Sequence, residues 1–271
     1  MITITNDEFV QLANLVKRNY GINLTSEKRS LVVGRLHNVL VQKNMDSFSQ
    51  YYKYLTSDIS GEALVTLVNK LTTNHTYFMR EPEHFHYFRE QVLPYLERVE
   101  KSKDLRIWSA GCSTGEEAFT LAMIIADYFG SSKPLWETKI LATDISRNVL
   151  EFAAKGIFLT EQLTPIPNVW RHHYFKSLDK EKSMVVDKIR SEIIFRFFNL
   201  MKTVFPFKKK FHVIFCRNVM IYFDAATKRE LINRFYENTE PGGYLFIGHS
   251  ESLNREETKY KYVMPSVYRK E

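Results

Sequence analysis

Beyond about residue 103 the chain alternates short apolar runs with helix-period segments, and this rhythm limits its fold more than any other feature. Residues 105–109, 139–143, 211–216 and 244–248 are compact apolar runs of strand length. Between them, residues 116–129, 148–155 and 225–238 repeat apolar side chains at helical spacing. Repeated β–α units predict an α/β fold, a parallel sheet with helices on both faces. The rhythm breaks between 158 and 199, where 184–186 and 192–198 look like strands with no helix between them. That interval predicts a small antiparallel β subdomain inserted in the larger one.

The first seventy residues read differently, as an all-helical domain. Thr5 and Glu8 have capping-box spacing, and Phe9, Leu12, Leu15 and Val16 share one helix side that Gly21 is placed to end. A second helix is predicted over 26–44, with Leu31, Val32, Leu36, Val39 and Leu40 as its apolar stripe. Lys28, Arg29, Arg35 and Lys43 are expected to face outward from it, as a solvated face or as a dock for an acidic helix. Shorter helices are predicted over 48–55 and 62–71. The domain reading is therefore 1–72 helical, 73–102 connecting, and 103–271 α/β, with 158–199 as the insertion.

Charge and cysteine usage narrow the partners. A formal charge of +7 calls for an acidic partner, whether nucleic acid, anionic lipid or protein. No run approaches the roughly 20 apolar residues a membrane span needs. The N-terminus has no basic-then-apolar leader, so the expectation is a cytoplasmic protein. Two cysteines, Cys112 and Cys216, are too few for a disulfide framework or a cysteine zinc site. His84 and His86 stand two apart on a predicted helix and face away from each other. His172-His173 is an isolated pair, so no metal is expected.

Gly111-Cys112-Ser113-Thr114-Gly115 lies between a predicted strand and a predicted helix, where open α/β folds bind nucleotides. A tight structural turn accounts for two glycines equally well. Asp144, ending the next predicted strand, adds an acceptor suited to ribose hydroxyls. Glu116 and Glu117 occupy the helix start where a dinucleotide would put its pyrophosphate, and no third glycine follows. Paired carboxylates repel phosphate and welcome an amino group, although they also stabilise a helix N-terminus unaided. A nucleoside bearing positive charge fits best, and S-adenosylmethionine, with its ammonium and sulfonium, meets that description.

Four segments together carry a family resemblance. Residues 71–81 (LTTNHTYFMRE), 108–117 (WSAGCSTGEE), 215–224 (FCRNVMIYFD) and 248–252 (GHSES) resemble, in this order, motifs of the chemotaxis protein-glutamate O-methyltransferases, the CheR family. The resemblance implies a Rossmann-like class I methyltransferase domain behind an N-terminal helical domain. It implies transfer of a methyl group from S-adenosylmethionine to receptor glutamates, leaving S-adenosylhomocysteine. By this resemblance Asn74, Thr76 and Arg80 reach the cofactor, as does the Gly111 loop. Glu117, with Glu116, holds the methionine end, and Asp144 the ribose. Asn199 and Leu200 lie near the adenine, and Arg217, Asn218 and Tyr222 line the transfer side, with Arg80 and Tyr222 as the catalytic pair.

The implied partner is the cytoplasmic helical bundle of a methyl-accepting receptor, met by a monomer through the basic helix 26–44. Residues 176–183 contain no glycine, unlike the loop of family members whose inserted subdomain captures a receptor peptide. Two other readings compete. The first is a methyltransferase acting on another protein or on nucleic acid. Enzymes of base amines commonly carry Asn/Asp-Pro-Pro-aromatic where this chain has Arg217-Asn218-Val219-Met220, which argues against that class. A cofactor-sensing or receptor-docking module that has lost transfer is disfavoured by the intact set of Arg80, Asp144 and Tyr222. A dehydrogenase is disfavoured by the missing third glycine and the paired glutamates.

Overall fold

The computed structural model describes residues 2–271. They form two compact units. One runs to Asn74 and takes in Tyr222–Lys228; the other comprises His75–Ile221 and Arg229–Glu271.

The first unit holds α1 (Asn6–Tyr20), α2 (Arg29–Gln42), α3 (Phe48–Ser57) and α4 (Glu62–Leu71). Helix α1 starts as its sequence requires: the Glu8 N–H donates to Thr5 Oγ1 at 3.2 Å, and the Thr5 N–H to Glu8 Oε2 at 2.9 Å. It stops at Gly21, whose φ of 71° is left-handed. Phe9, Leu12, Leu15 and Val16 are all buried.

Helix α2 departs from expectation in two ways. Leu31 is 39% exposed, whereas Val32, Leu36, Val39 and Leu40 are buried. At about 100° per residue, Leu31 falls beside the stripe rather than on it. The cations also do not all face outward. Arg29 precedes Val32 by three positions and so extends the buried stripe at its N-terminal end, whereas Lys43, beyond the last turn, is exposed as expected. Arg29 donates to the Ile4 carbonyl, and the Lys43 ammonium stands 4.2 Å above the Tyr54 ring. Arg35 donates to the carbonyls of Lys70, Leu71 and Thr72 at 2.9–3.2 Å, satisfying the open C-terminal end of α4. In the same unit the Asn23 N–H donates to the Tyr222 carbonyl at 2.8 Å, and Lys17 pairs with Asp224 at 2.7 Å.

The second unit contributes α5 (Pro82–Tyr87) and α6 (Leu93–Val99), then β1 (Ile107–Ala110), α7 (Glu116–Phe129), β2 (Ile140–Asp144) and α8 (Arg147–Lys155). These are followed by β3 (Ile157–Leu159), α9 (Asn168–Tyr174), β4 (Phe175–Ser177), β5 (Lys182–Val185), α10 (Asp187–Arg190) and β6 (Ile193–Phe197). Last come β7 (Phe211–Cys216), α11 (Ala225–Glu237, whose first residues belong to the other unit), β8 (Thr239–Ile247), β9 (Lys261–Met264) and β10 (Val267–Arg269). The main sheet has the order β6-β2-β1-β7-β8-β10-β9. It is parallel from β6 to β8 and antiparallel at β10 and β9. Every residue of β1 and β7 is buried, which is why both read as unbroken apolar runs. Strand order reverses between β1 and β7, which puts the crevice of an open α/β sheet at the carboxyl ends of these strands, with the end of β2 beside it.

A separate antiparallel sheet, β3-β5-β4, matches the expected insertion. Its β4–β5 hairpin turns without glycine because Asp179 Oδ1 accepts the N–H groups of Glu181 and Lys182, both at 2.8 Å. The segment 192–198 does not belong to it. As β6 it pairs parallel with β2, from Ile140 opposite Ile193 to Asp144 opposite Phe197, and α10 intervenes. A single helical turn is too short for periodicity to reveal, and a short apolar run does not announce its partner. Among the described residues no helix is long and apolar enough to cross a membrane.

Two glycines should respond oppositely to alanine. At Gly115, φ is 95° and a Cβ would stand 2.9 Å from that of Ala153. Gly115→Ala is expected to cost about 1–3 kcal/mol in urea unfolding. A Cβ at Gly34, inside α2, meets nothing within 4 Å; Gly34→Ala should add about 0.5–1 kcal/mol. Acid should act through Asp224, whose carboxyl is held down at about 2 by Lys17 and the Thr227 N–H, against an ordinary 3.8. The unfolded chain binds the extra proton between those values, so this contribution is complete above about pH 4 and lost as pH falls towards 2. Asp224→Asn should flatten the acid limb of a stability–pH curve in that window.

Candidate active site

The crevice is shaped by the turn leaving β1. Gly111 has φ of 88°, and its N–H and that of Cys112 both donate to the Thr143 carbonyl, at 2.8 and 2.9 Å. A side chain at Gly111 would meet Val219, whose Cγ2 would lie 2.5 Å from the new Cβ. Ser113, also left-handed at φ 48°, donates its N–H to Asp144 Oδ2 at 2.9 Å. The Ser146 N–H donates to Asp144 Oδ1 at 3.0 Å. Burial pushes the Asp144 carboxyl above its usual range, and these N–H groups oppose that shift. The chain after β6 reaches the same place: the Phe198 N–H donates to the Asp144 carbonyl at 3.0 Å, followed by Asn199 and the buried Leu200. Asn199 Oδ1 accepts the Met201 N–H at 2.9 Å.

Helix α7 begins beneath this turn. Glu116 is 3% exposed, accepts the Thr114 hydroxyl at 2.6 Å, and is pushed up in pKa by its burial. Glu117 accepts the Ser109 hydroxyl at 2.7 Å through Oε1 and Arg217 Nη1 at 3.0 Å through Oε2. The two neighbours thus differ. Glu116 rests on a hydroxyl, whereas Glu117 is tied to a buried guanidinium.

Arg217 joins the site together. Its side chain is 3% exposed; Nη2 binds Glu81 Oε2 at 3.0 Å and the Arg80 carbonyl, and the guanidinium lies 5.1 Å from the Phe85 ring. Glu81 also accepts Asn218 Nδ2 at 3.3 Å and the His249 N–H at 3.2 Å. Burial raises the Glu81 carboxyl, but Arg217 and these donors outweigh it and hold the pKa below the usual value. Asn218 adopts φ of 58°, and its N–H donates to Glu251 Oε2 at 3.0 Å. The same carboxylate collects the N–H groups of Ile221 at 3.0 Å and Gly248 at 2.6 Å.

Neither Glu81 nor Glu251 stands among the site residues expected from sequence, although both lie inside the quoted motifs. Their signal was weak, since each sits in a segment with exposed residues and only its burial in the fold demands partners.

Of the expected residues, the second unit brings Gly111, Glu116, Glu117, Asp144, Asn199, Leu200, Arg217 and Asn218 to the strand-end crevice or the network below it. Arg80 contributes its carbonyl to Arg217, while its own Nη1 donates to the His75 carbonyl at 2.9 Å. Thr76 is half-buried in the preceding segment. Asn74 and Tyr222 belong to the first unit. There Asn74 is exposed, with its amide 3.5 Å from Asn69 Oδ1, and the Tyr222 hydroxyl accepts the Thr73 N–H at 3.0 Å.

Glu81, His84 and His249 place ligand-type atoms within 4.8 Å of one another. The Glu81 oxygen nearest His84 is the one that binds Arg217, so a metal ion there would face a guanidinium across a single oxygen. The donor set is better suited to an organic cation. Glu81 and Glu117 share one guanidinium, which leaves one negative charge uncompensated beside the crevice. An ammonium or sulfonium group fits that deficit.

Two family descriptions match the chain: CheR methyltransferase, all-alpha domain, over residues 7–72, and CheR methyltransferase, SAM binding domain, over 74–269. A chemotaxis protein methyltransferase of Borreliella burgdorferi is 40% identical over 99% of this chain and 96% of its own. The chemotaxis protein methyltransferase 2 of Vibrio cholerae is 34% identical over 94% of this chain and 88% of its own. The chemotaxis protein methyltransferase of Escherichia coli is 32% identical over 98% of this chain and 92% of its own. The expected helical domain, α/β sheet and separate antiparallel sheet are all present, and the chain belongs to the CheR family of S-adenosylmethionine-dependent chemotaxis methyltransferases.

Proposed function

We propose that the protein methylates glutamate side chains on methyl-accepting chemotaxis receptors, as a protein-glutamate O-methyltransferase yielding methyl esters and S-adenosylhomocysteine. Membership of the CheR family carries the choice of reaction, and the carboxylates at the nucleotide end of the sheet, where Glu116 and Glu117 open α7 and Asp144 ends β2, support its cationic cofactor. When bound, S-adenosylmethionine supplies a methyl group made electrophilic by its sulfonium. Glu117 would receive the ammonium of the methionine end, and Asp144 the ribose hydroxyls. Asn199 and Leu200 would flank the adenine, and Asn74 and Thr76 would close on the cofactor from the connecting segment.

A substrate glutamate is already ionised at neutral pH, so no strong general base is required. The remaining task is to align oxygen, methyl carbon and sulfur for in-line displacement. Arg80 would orient the substrate carboxylate or the cofactor. A grip that neutralised the carboxylate would blunt the nucleophile, which favours positioning over tight pairing. Tyr222 would stand beside the transfer path, its oxygen steadied by the Thr73 N–H.

On this reading residues 1–72 form a receptor-facing helical domain, 73–102 connect it, and 103–271 carry the chemistry in a cytoplasmic monomer. The inserted subdomain then ends before β6. The receptor's acidic helical bundle would meet α2 and the turn before it. Of the four cations expected there, Arg29 and Arg35 bind backbone carbonyls of their own unit, which leaves Lys28 and Lys43 as the informative positions.

Incubation with methyl-labelled S-adenosylmethionine and a receptor cytoplasmic fragment should give label that alkali releases as methanol. Label stable to alkali, or carried by nucleic acid, would remove the proposal; tight cofactor binding without transfer would favour a sensor. Arg80→Ala should lower kcat/KM about 100-fold and Tyr222→Phe about tenfold. If affinity and turnover both stay at wild-type values, these two residues are not catalytic. Lys28→Glu with Lys43→Glu should slow receptor methylation severalfold at low salt and less at high salt. Equal rates at low salt would move the dock elsewhere.

A further inference from the structure

Arg217 lies directly against Glu117, the carboxylate assigned to the cofactor ammonium. A buried guanidinium bound to one carboxylate forms a closed, neutral pair with little attraction left for a second cation. Here the pair is not closed. Nη1 binds Glu117 and Nη2 binds Glu81, both at 3.0 Å, with the Arg side chain 3% exposed and each carboxylate 13% exposed. The cluster therefore holds two negative charges and one positive charge in surroundings of low dielectric. His84, next to Glu81, does not supply the missing charge: burial and the Arg217 charge push its pKa down to about 3. Glu81 is itself fixed by Asn218 Nδ2 and the His249 N–H, and its backbone is held at φ 56°, a conformation unusual for glutamate.

We infer that Glu81 is a positioning residue for cofactor binding: it takes half of the Arg217 guanidinium and so keeps Glu117 negative enough to bind an ammonium. This rests on the cofactor reading above, with Glu117 at the methionine end. Glu81 touches neither cofactor nor substrate in this role. Without its charge, Arg217 would neutralise Glu117 completely. The loss would fall on the amino-acid end of the ligand and spare the nucleoside end.

Two ligands that differ at that end provide the test. S-adenosylhomocysteine carries the ammonium; 5′-methylthioadenosine keeps the nucleoside and lacks the amino acid. Calorimetric titration of Glu81→Gln should show S-adenosylhomocysteine binding about tenfold more weakly and methylthioadenosine within about twofold of wild type, since a tenfold change is about 1.4 kcal/mol. Glu81→Asp, which restores the charge, should recover most of the loss. Equal weakening of both ligands would make Glu81 merely structural and overturn the inference, as would unchanged binding of both. If Glu81→Gln fails to fold by circular dichroism, Glu81→Asp is read by the same comparison, its shortened reach producing a smaller loss confined to S-adenosylhomocysteine. A wild-type protein that bound neither ligand would overturn the cofactor reading, and this inference with it.

Discussion

The buried guanidinium of Arg217 ties together parts of the second unit that are far apart in sequence. Through it and its partner Glu81, the segment before α5, the start of α7, the turn after β7 and the turn after β8 share one set of charge-assisted hydrogen bonds. Placing such a charge out of water costs several kcal/mol unless it is paired and bonded, and breaking one side of the pairing leaves that cost exposed. The crevice at the strand ends is thus held by electrostatics as well as by apolar packing. That arrangement suits a site whose ligand is itself charged.

Glu251 performs the complementary task for the backbone. The chain after β7 turns through left-handed Asn218, leaving N–H groups that no strand or helix pairs. One buried carboxylate collects three of them, from Asn218, Ile221 and Gly248. Gly248 lacks a side chain for a steric reason, since a Cβ there would stand 2.5 Å from Asn218 Nδ2. Sequence motifs 30 residues apart prove to be two halves of one turn.

Much of the fold was legible because its signals are local. The capping box of α1, the stop at Gly21 and the unbroken apolar runs of β1 and β7 each depend on a few adjacent residues, and each appears where the sequence predicts it. The partner of β6 and the inward turn of Arg35 were not legible, because both are settled by residues some 35 to 50 positions away. The site shows the same division. Gly111, Glu117 and Asp144 announce themselves by their places at strand and helix ends. Glu81 and Glu251 matter through what they bind, and a motif written as a string does not say which of its carboxylates will be buried.

The motif from Phe215 to Asp224 shows how far contiguity in sequence departs from shared physical duty. Arg217 and Asn218 work within the second unit, whereas Tyr222 and Asp224 belong to the first, bonded there to Thr73 and Lys17. Ten neighbouring residues thus satisfy two sets of constraints. The first is electrostatic and fixes the charge balance beside the crevice. The second anchors a phenol and a carboxylate to the helical unit. A substitution at Arg217 and one at Asp224 are seven positions apart, yet they disturb separate cooperative networks, and energetic coupling follows shared partners rather than sequence distance.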